Sequence, residues 1–458
     1  MLHRKYFRRT LVSSLLISLM PSMAAASGFA LIETNARGQG NAYAGAAAHT
    51  PDASTIFFNP AGMTDLEGDH LTIAMHKIIP HSSFTNEGST AAAAFAGTPF
   101  ADLNGENDDG GSAAIVPNLY WVKTLSETTK FGLGVNSPFG LATEYADDWA
   151  GRYHGVVSDL AIININPSLA YKVNDKLSIG GGIDVMLGTV TLSSAIDFGA
   201  ICMAQFNYET CAGIGSLPQS GDGFAELTGD NLGDISVGFN LGLKYKISDQ
   251  STIGIAYRSE VEMNVEGDAD FTVPTSAAFV YAGNLFVDTG LNATVNLPAS
   301  FSVSYAHQVD SITYLADATW TGWSSYEELR IEYDNNSQPD SVTTNTWEDV
   351  MRYSLGLDYQ YAEDTIYRVG IAYDESPVPS AERRTPRLPG TDRTWFSFGV
   401  SNQLDDGLSI DIGVSHLVMD TAETNNEFES SVPTLAATLT GEYEASVNIF
   451  SVQLNWEY

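Results

Sequence analysis

The chain alternates between apolar and polar residues with a period of two from about residue 69 to its C-terminus. This pattern is typical of β-strands that have one apolar and one polar face. The alternating segments run for ~10 residues or more, longer than the roughly 5 or 6 usual in soluble sheets, which favours strands that cross a membrane. One segment places Ile253, Ile255, Tyr257 and Val261 on an apolar face and Thr252, Gly254, Arg258 and Glu260 on a polar face.

Short and long connections alternate between these segments. Six short turns lie near residues 126–129, 174–176, 248–250, 309–311, 363–364 and 405–407, and seven long loops lie near residues 87–111, 142–158, 197–232, 268–292, 334–345, 376–392 and 421–441. Thirteen connections join fourteen strands, and an even number with short turns at one end is typical of bacterial outer-membrane barrels. The sequence therefore predicts an all-β fold, a transmembrane antiparallel β-barrel of about fourteen strands.

The C-terminal segment fits this fold, because it alternates up to the last residue. Its apolar positions are Phe450, Val452, Leu454, Trp456 and Tyr458. Many other aromatic residues fall near strand ends, as the interfacial girdles of a barrel require. An extracellular all-β adhesin is the alternative fold that the pattern leaves open.

The first 26 residues predict export. A basic stretch (Arg4, Lys5, Arg8, Arg9), an apolar run and then Ala24-Ala25-Ala26 form the pattern of a secretory signal peptide with its cleavage site. No later segment offers 18 consecutive apolar residues for a transmembrane helix. We divide the chain into a signal peptide (residues 1–26), an N-terminal segment (27–66) and a barrel (67–458), and expect a multi-pass protein of the bacterial outer membrane.

Charge and cysteine content narrow the function classes. Without residues 1–26 the chain has 17 basic and 56 acidic residues, a formal charge of -39, which argues against binding nucleic acid. Cys202 and Cys211 predict a local disulfide in an oxidising compartment, with free thiols as the alternative. No histidine lies near them in the sequence, so we expect no metal site.

Residues 27–66 do not alternate and are rich in small residues. Asn59, Pro60 and Ala61 suit a turn followed by a short helix, so this segment is either a linker or a compact plug of the barrel. On the basis of this segment and five further motifs, the chain resembles the FadL-type family of outer-membrane transporters for long-chain fatty acids and related hydrocarbons. Those motifs are residues 136–145, 257–260, 320–325, 376–379 and 392–395.

The resemblance implies a fourteen-stranded barrel with an N-terminal hatch in its lumen. It also implies capture of hydrophobic ligands in an external groove and lateral release through a gap at an inward kink of the third strand, with no energy source or cofactor. The residues at the expected opening are Asn136, Ser137, Pro138, Phe139 and Gly140. Pro138 cannot donate to the ladder and Gly140 weakens pairing, which supports a kink independently; a proline bulge without an opening is the alternative.

Two further groups of residues are candidates for ligand binding. The loop near residues 269–291 is too apolar for a solvated loop, which predicts one wall of the capture groove or, alternatively, packing against the loop that carries the cysteines. Its candidates are Phe271, Phe279, Tyr281, Leu285 and Phe286. Arg258, Arg352 and Arg368 are expected to face the lumen and to bind a carboxylate, unless Asp184, Glu260, Asp358 or Asp411 pairs with them.

The sequence thus predicts a monomeric channel for passive uptake of long-chain fatty acids or similar hydrophobic compounds, surrounded by outer-membrane lipid and lipopolysaccharide. An uptake channel for aromatic hydrocarbons, an open porin and an outer-membrane hydrolase are the alternatives. The hydrolase is disfavoured because the chain lacks the G-x-S-x-G and H-E-x-x-H motifs.

Overall fold

The computed structural model describes residues 28–458 except 431, 433 and 434, so the predicted signal peptide lies outside the described residues. The strands are β1 His70–Asn86, β2 Ala114–Thr124, β3 Thr129–Glu144, β4 Val157–Lys172, β5 Leu177–Ile196, β6 Gly223–Asp230, β7 Ser236–Ser248, β8 Ser251–Arg258, β9 Val261–Thr272, β10 Thr289–Leu297, β11 Ser300–Val309, β12 Ile312–Thr321, β13 Glu328–Tyr333, β14 Ser341–Thr344, β15 Val350–Ala362, β16 Thr365–Asp374, β17 Arg393–Asp405, β18 Leu408–Met419, β19 Ala422–Glu427 and β20 Thr438–Glu457. The α-helices are α1 Ala36–Gly40, α2 Thr55–Phe58, α3 Phe198–Gln205 and α4 Tyr208–Ile214, and the 3-10 helices are Pro60–Asp65, Ala93–Phe95, Thr275–Gly283 and Trp323–Ser325.

Fourteen of these strands form a closed antiparallel barrel, in the order β1-β2-β3-β4-β5-β7-β8-β11-β12-β15-β16-β17-β18-β20, with β20 pairing back to β1. The predicted fold class and strand number are confirmed. Each of the six predicted short turns joins two neighbouring barrel strands. No helix of the described residues is long and apolar enough to cross a membrane.

The outer surface of the barrel is apolar, as the alternation predicts. Leu355 and Val237 are each 61% exposed, and most of the other barrel strands also expose large apolar side chains. Aromatic residues such as Tyr171, Tyr361 and Trp456 lie close to the short turns, where an interfacial girdle belongs. An exposed apolar band of this extent fits a lipid environment.

The wall continues beyond this band. In this extension the apolar side chains face the interior and the polar side chains face outwards. Strands β9 and β10 extend β8 and β11 after breaks at Ser259 and Pro298, and β6 and β13 pair with the extensions. Val261 is buried and Glu260 is exposed, so the sequence prediction that Val261 shares the outward face of Tyr257 is wrong. The backbone break shifts the alternation by one residue, which moves apolar side chains to the inside.

The N-terminal segment, residues 28–66, occupies the interior of the barrel. Its polar groups bond to strands around the circumference: the Ala36 amide donates to Gln453 (2.8 Å), Asn41 donates to Asp358 (2.9 Å), and Asn59 donates to the Leu243 carbonyl (3.0 Å). The predicted turn at Asn59 is present, because its side chain caps the 3-10 helix that begins at Pro60. We call residues 28–66 the inner segment.

Glycines on the inner face of the wall allow this close packing. A Cβ atom at Gly254 of β8 would lie 1.9 Å from the Ala47 carbonyl oxygen, and one at Gly370 of β16 would lie 2.1 Å from the Asn41 carbonyl carbon. The inner segment therefore approaches the wall backbone more closely than a side chain on these wall residues would permit.

The substitution Gly254→Ala is expected to displace residues 45–49 of the inner segment, since the added Cβ meets a backbone carbonyl. We expect a loss of about 1–3 kcal/mol, typical of overpacking, seen as a lower temperature for the heat-induced mobility shift of the barrel on gels. Gly213→Ala is the control, because a Cβ there meets nothing within 4 Å in the exposed helix α4. Equal stability of the two variants would contradict this packing.

Candidate functional site

Three cavities lie along the interior of the molecule. The outer cavity, of about 210 Å³, lies among the long loops and is lined by Ile196, Phe271, Leu285, Phe286 and Phe428. Three of the five candidates in the 269–291 loop therefore line it. Phe286 also packs edge-on against Phe198 at a ring distance of 5.1 Å.

The other two loop candidates do not line this cavity. Phe279 packs against Phe206 at 5.4 Å, and Tyr281 is 50% exposed. Phe206 follows helix α3, which carries Cys202, and Cys202 forms a disulfide with Cys211 of α4. The loop therefore does both things that its sequence allowed: it walls a cavity and it packs on the disulfide-bearing loop.

Asp197 positions the disulfide-bearing loop beside the outer cavity. Its carboxylate caps helix α3 by accepting from the Ala200 amide (2.8 Å), and it also accepts from the Gln219 amide (3.1 Å). Burial and the nearby Asp222 nevertheless raise the pKa of Asp197 to about 6. The carboxyl group thus takes up a proton in mildly acidic conditions.

The apolar cavity, of about 80 Å³, lies deeper, inside the extended part of the wall. It is lined by Leu160, Leu192, Val265, Leu291, Ile331 and their neighbours, so the inside-out polarity of β9 and β10 supplies much of its surface. A cluster of Leu192, Ala269, Leu291 and Ile331, with Phe271 packed against it, separates this cavity from the outer one.

One cation borders the apolar cavity. Arg387, from the loop between β16 and β17, donates to the Val157 carbonyl (2.8 Å), the Ser158 hydroxyl (2.8 Å) and the Ser193 carbonyl (3.0 Å). No carboxylate of the described residues lies within ion-pair distance of it. Desolvation lowers the pKa of Arg387 to about 10, so the guanidinium stays charged at neutral pH.

An aromatic layer closes the inner end of the apolar cavity. Phe29 of the inner segment packs against Trp323 at 4.8 Å and against Tyr326 at 5.5 Å, and Trp347 lies 4.9 Å from Trp323. All four side chains are buried. The start of the inner segment is therefore part of the barrier between the apolar cavity and the space below it.

The lower cavity, of about 150 Å³, lies beyond this layer between the inner segment and the wall. Leu31, Phe57 and Phe58 line it from the inner segment, and Pro138 and Phe139 line it from β3. The cavity therefore reaches the strand at which the sequence predicts an opening.

The three predicted arginines face the lumen, and each has an acidic neighbour. Arg258 forms a salt bridge with Asp184, Arg368 lies 3.1 Å from Asp358, and Arg352 lies 3.8 Å from Asp374. Arg258 and Arg352 line the lower cavity, whereas Arg368 packs against the inner segment near Gly40. Pairing with acidic side chains, the alternative that the sequence left open, is what the structure shows for Arg258 and Arg368.

Strand β3 leaves the barrel wall at Asn136. Strand β2 pairs with β3 only from Leu119 opposite Val135 towards the short turn, and the backbone registers shift between Asn136 and Phe139. Residues 136–143 are all buried, although every second residue of a wall strand should face lipid. The strand therefore bends into the lumen over these residues.

The inner segment takes the place that β2 leaves. The Leu31 amide donates to the Pro138 carbonyl (2.8 Å), and the Gly140 amide donates to the Phe29 carbonyl (2.8 Å). The wall closes again at Thr143, which bridges to Gly111. Between these points β2 and β3 share no ladder hydrogen bonds in the described structure, so the ladder is interrupted where the sequence predicts an opening.

Comparison with known proteins identifies the family to which a chain with this architecture belongs. Residues 17–458 match the model of a family described as outer membrane protein transport protein (OMPP1/FadL/TodX). The chain belongs to this family. A long-chain fatty acid transport protein of Escherichia coli is 29% identical over 420 residues, which cover 88% of this chain and 89% of that protein. This is thus an outer-membrane protein of a transport family.

Solved structures agree with the fold. A FadL homologue from Pseudomonas aeruginosa superimposes with a TM-score of 0.82 at 24% identity, covering 94% of this chain and 99% of its own. The toluene transporter TodX of Pseudomonas putida gives a TM-score of 0.66 at 16% identity, with 95% and 99% coverage.

Sequence reasoning missed Arg387 and the aromatic layer. The loop that contains Arg387 carries Arg383, Arg384 and Arg387 within five residues of an otherwise acidic chain, and this local basic cluster was the available signal. Phe29 gave no signal, because its role depends on packing against Trp323 and Trp347 from distant parts of the chain.

The pKa of Asp197 leads to a pH-dependent stability of the disulfide-bearing loop. Because the folded pKa, about 6, lies above the ordinary value of 3.8, the folded loop binds the proton more tightly, and its stability falls as the pH rises from about 4 to about 6. Hydrogen exchange of the α3 amides, corrected for the intrinsic rate, should show more protection at pH 5 than at pH 7.5. The variant Asp197→Asn keeps the cap and should lose this dependence; an unchanged dependence would refute the assignment.

Proposed function

We propose that this protein takes up long-chain fatty acids or similar amphiphiles across the outer membrane by passive diffusion. The observation that carries the proposal is Arg387, a charged guanidinium without a carboxylate partner among the described residues, beside a cavity lined almost entirely by apolar side chains. An arginine binds a carboxylate through two parallel hydrogen bonds, and the apolar cavity accepts the part of the acyl chain next to it. A fatty acid satisfies both at once.

We infer the order of the uptake steps from the positions of the three cavities. The ligand enters the outer cavity from the cell exterior, passes the apolar cluster around Leu291 and settles in the apolar cavity with its carboxylate on Arg387. The inner segment acts as a hatch: its residue Phe29 separates this site from the lower cavity, so a shift of Phe29 connects the two. The ligand leaves the lower cavity through the gap between β2 and β3.

Lateral release is favoured by the free energy of the acyl chain. Each CH₂ group that passes from an apolar site into water costs about 0.8 kcal/mol, whereas transfer from the cavity into the bilayer costs almost nothing. A gap in the wall therefore gives a downhill path without an energy source.

The variant Arg387→Gln should weaken binding of a fluorescent fatty acid to the purified protein by about tenfold or more, because a charge-assisted hydrogen bond contributes roughly 1.5–3 kcal/mol. Arg387→Lys should recover part of the affinity. Arg330→Gln is the matched control, since Arg330 is exposed and paired with Glu328 and Asp340 on the outside of the wall. An unchanged Kd for Arg387→Gln would argue against the carboxylate site.

The double variant Pro138→Val and Gly140→Val should let β3 pair with β2 over residues 114–118 and close the gap. We expect oleate uptake to fall several-fold in a host without its own transporter, and amide exchange of residues 114–118 to slow. Pro167→Val is the control, because Pro167 lies opposite Leu133 in the paired stretch of β3 and β4, away from the gap. Slow exchange together with normal uptake would show that the ligand leaves elsewhere.

A further inference from the structure

The edge of the gap next to the last β2–β3 pair, which we call the lower lip, carries two asparagine side chains with unsatisfied hydrogen-bonding groups. Asn118 and Asn136 occupy the first positions beyond the last β2–β3 pair, Leu119 and Val135. Both are almost fully buried, with 2% and 1% of their surfaces exposed. Neither the nitrogen nor the oxygen of the Asn136 carboxamide has a partner among the described residues, and the Asn118 oxygen has none either.

A buried carboxamide without partners costs about 1–3 kcal/mol for each unsatisfied group, and most buried polar groups are satisfied. Packing gives no reason for asparagine at this position, because apolar residues of similar size fill such a site without that cost. Asn118 differs from Asn136 in that its nitrogen donates to the Glu33 carbonyl (3.2 Å), which ties it to the inner segment.

Polar groups continue from Asn136 along the inner face of the wall to the lower cavity. Asn164 lies directly opposite Asn136 on β4 and donates to Asp184 (2.7 Å), which forms the salt bridge with Arg258. Arg258 lines the lower cavity. The Asn164 oxygen and one Asp184 oxygen also lack partners among the described residues. The unsatisfied groups thus form a row from the cavity to the lip.

We propose that Asn136 holds the carboxyl headgroup of the ligand as it passes through the gap. Its nitrogen donates to the carboxyl oxygen, and its oxygen accepts from the hydroxyl of a protonated acid. The acyl chain then extends past Pro138 and Phe139 towards the lipid. Asn136 thereby determines specificity at the exit, in favour of amphiphiles over plain hydrocarbons of the same length.

This inference rests on the proposed function. It explains how the polar headgroup of the ligand crosses the apolar wall. The acyl chain loses nothing on leaving for the bilayer, but the headgroup loses its partner at Arg387 and must cross an apolar wall. A polar group in that wall lowers the barrier for the headgroup alone. A hydrocarbon has no headgroup and gains nothing from it.

The test compares uptake of palmitate and hexadecane, which have equal chain lengths, by cells that carry the full-length protein and lack other transporters of this type. Asn136→Leu should slow palmitate uptake about tenfold, as expected for one lost hydrogen bond to a charged group, and should leave hexadecane uptake within about twofold. Asn448→Leu, on the exposed outer face of β20, is the control for the same change elsewhere in the barrel.

A second variant guards against a folding defect of Asn136→Leu. Asn136→Asp has the same size but places a negative charge at the lip, so it should slow palmitate and spare hexadecanol. Palmitate uptake unchanged in both variants, or palmitate and hexadecane slowed equally, would overturn the headgroup site while leaving uptake by the wild-type protein established. If the wild-type protein carries neither compound, the proposed function itself fails and this inference with it.

Discussion

The structure depends on one constraint: inside a membrane, every backbone amide and carbonyl must find its partner within the protein. A barrel wall meets this condition only if each strand pairs on both sides, so a gap in the wall leaves unpaired groups on both of its edges. Here the inner segment satisfies part of that demand, through the hydrogen bonds of Phe29 and Leu31 to Gly140 and Pro138. The gap and the inner segment are therefore one structural feature, because the same backbone bonds that keep β3 bent into the lumen also fix the start of the inner segment. Any movement of Phe29 frees groups on β3, which couples the barrier above the lower cavity to the lateral opening that we propose beside it.

The second organising feature is the reversal of polarity along the wall. At the level of the lipid, apolar side chains such as Leu355 point outwards; above it, Val261 and Leu291 point inwards and Glu260 points out. The reversal follows from what surrounds each part of the wall. Lipid surrounds the lower part of the barrel, whereas the upper part extends beyond the lipid into water and encloses an apolar cavity. On β9 and β10 the change of face is produced by backbone breaks at Ser259 and Pro298, which shift the alternation by one residue.

These two features explain what the sequence can and cannot predict. The number of strands and all six short turns follow from local alternation, because a wall strand in lipid has the same two faces along its whole length. The reversal at Ser259 is not visible in the same way, since Val261 continues an apolar pattern and only the break changes its face. The kink at Pro138 is predictable because a missing donor acts locally. The role of Arg387 is not, because what distinguishes it from Arg258 and Arg368 is the lack of an acidic partner, and that depends on residues far away in the chain.

The proposed uptake of an amphiphile accounts for the position of the polar groups along the interior. A hydrocarbon chain needs only continuous apolar contact, which the outer, apolar and lower cavities and the membrane supply in turn. A carboxylate needs a hydrogen-bond donor at each stage, and donors buried in an apolar wall are costly unless something binds them. Along the proposed route, Arg387 beside the apolar cavity has no acidic partner among the described residues, and the Asn136 carboxamide at the lip of the gap has no hydrogen-bond partner among them. In the uptake route that we propose, the carboxylate passes from Arg387 to Asn136 while the acyl chain keeps its apolar contacts.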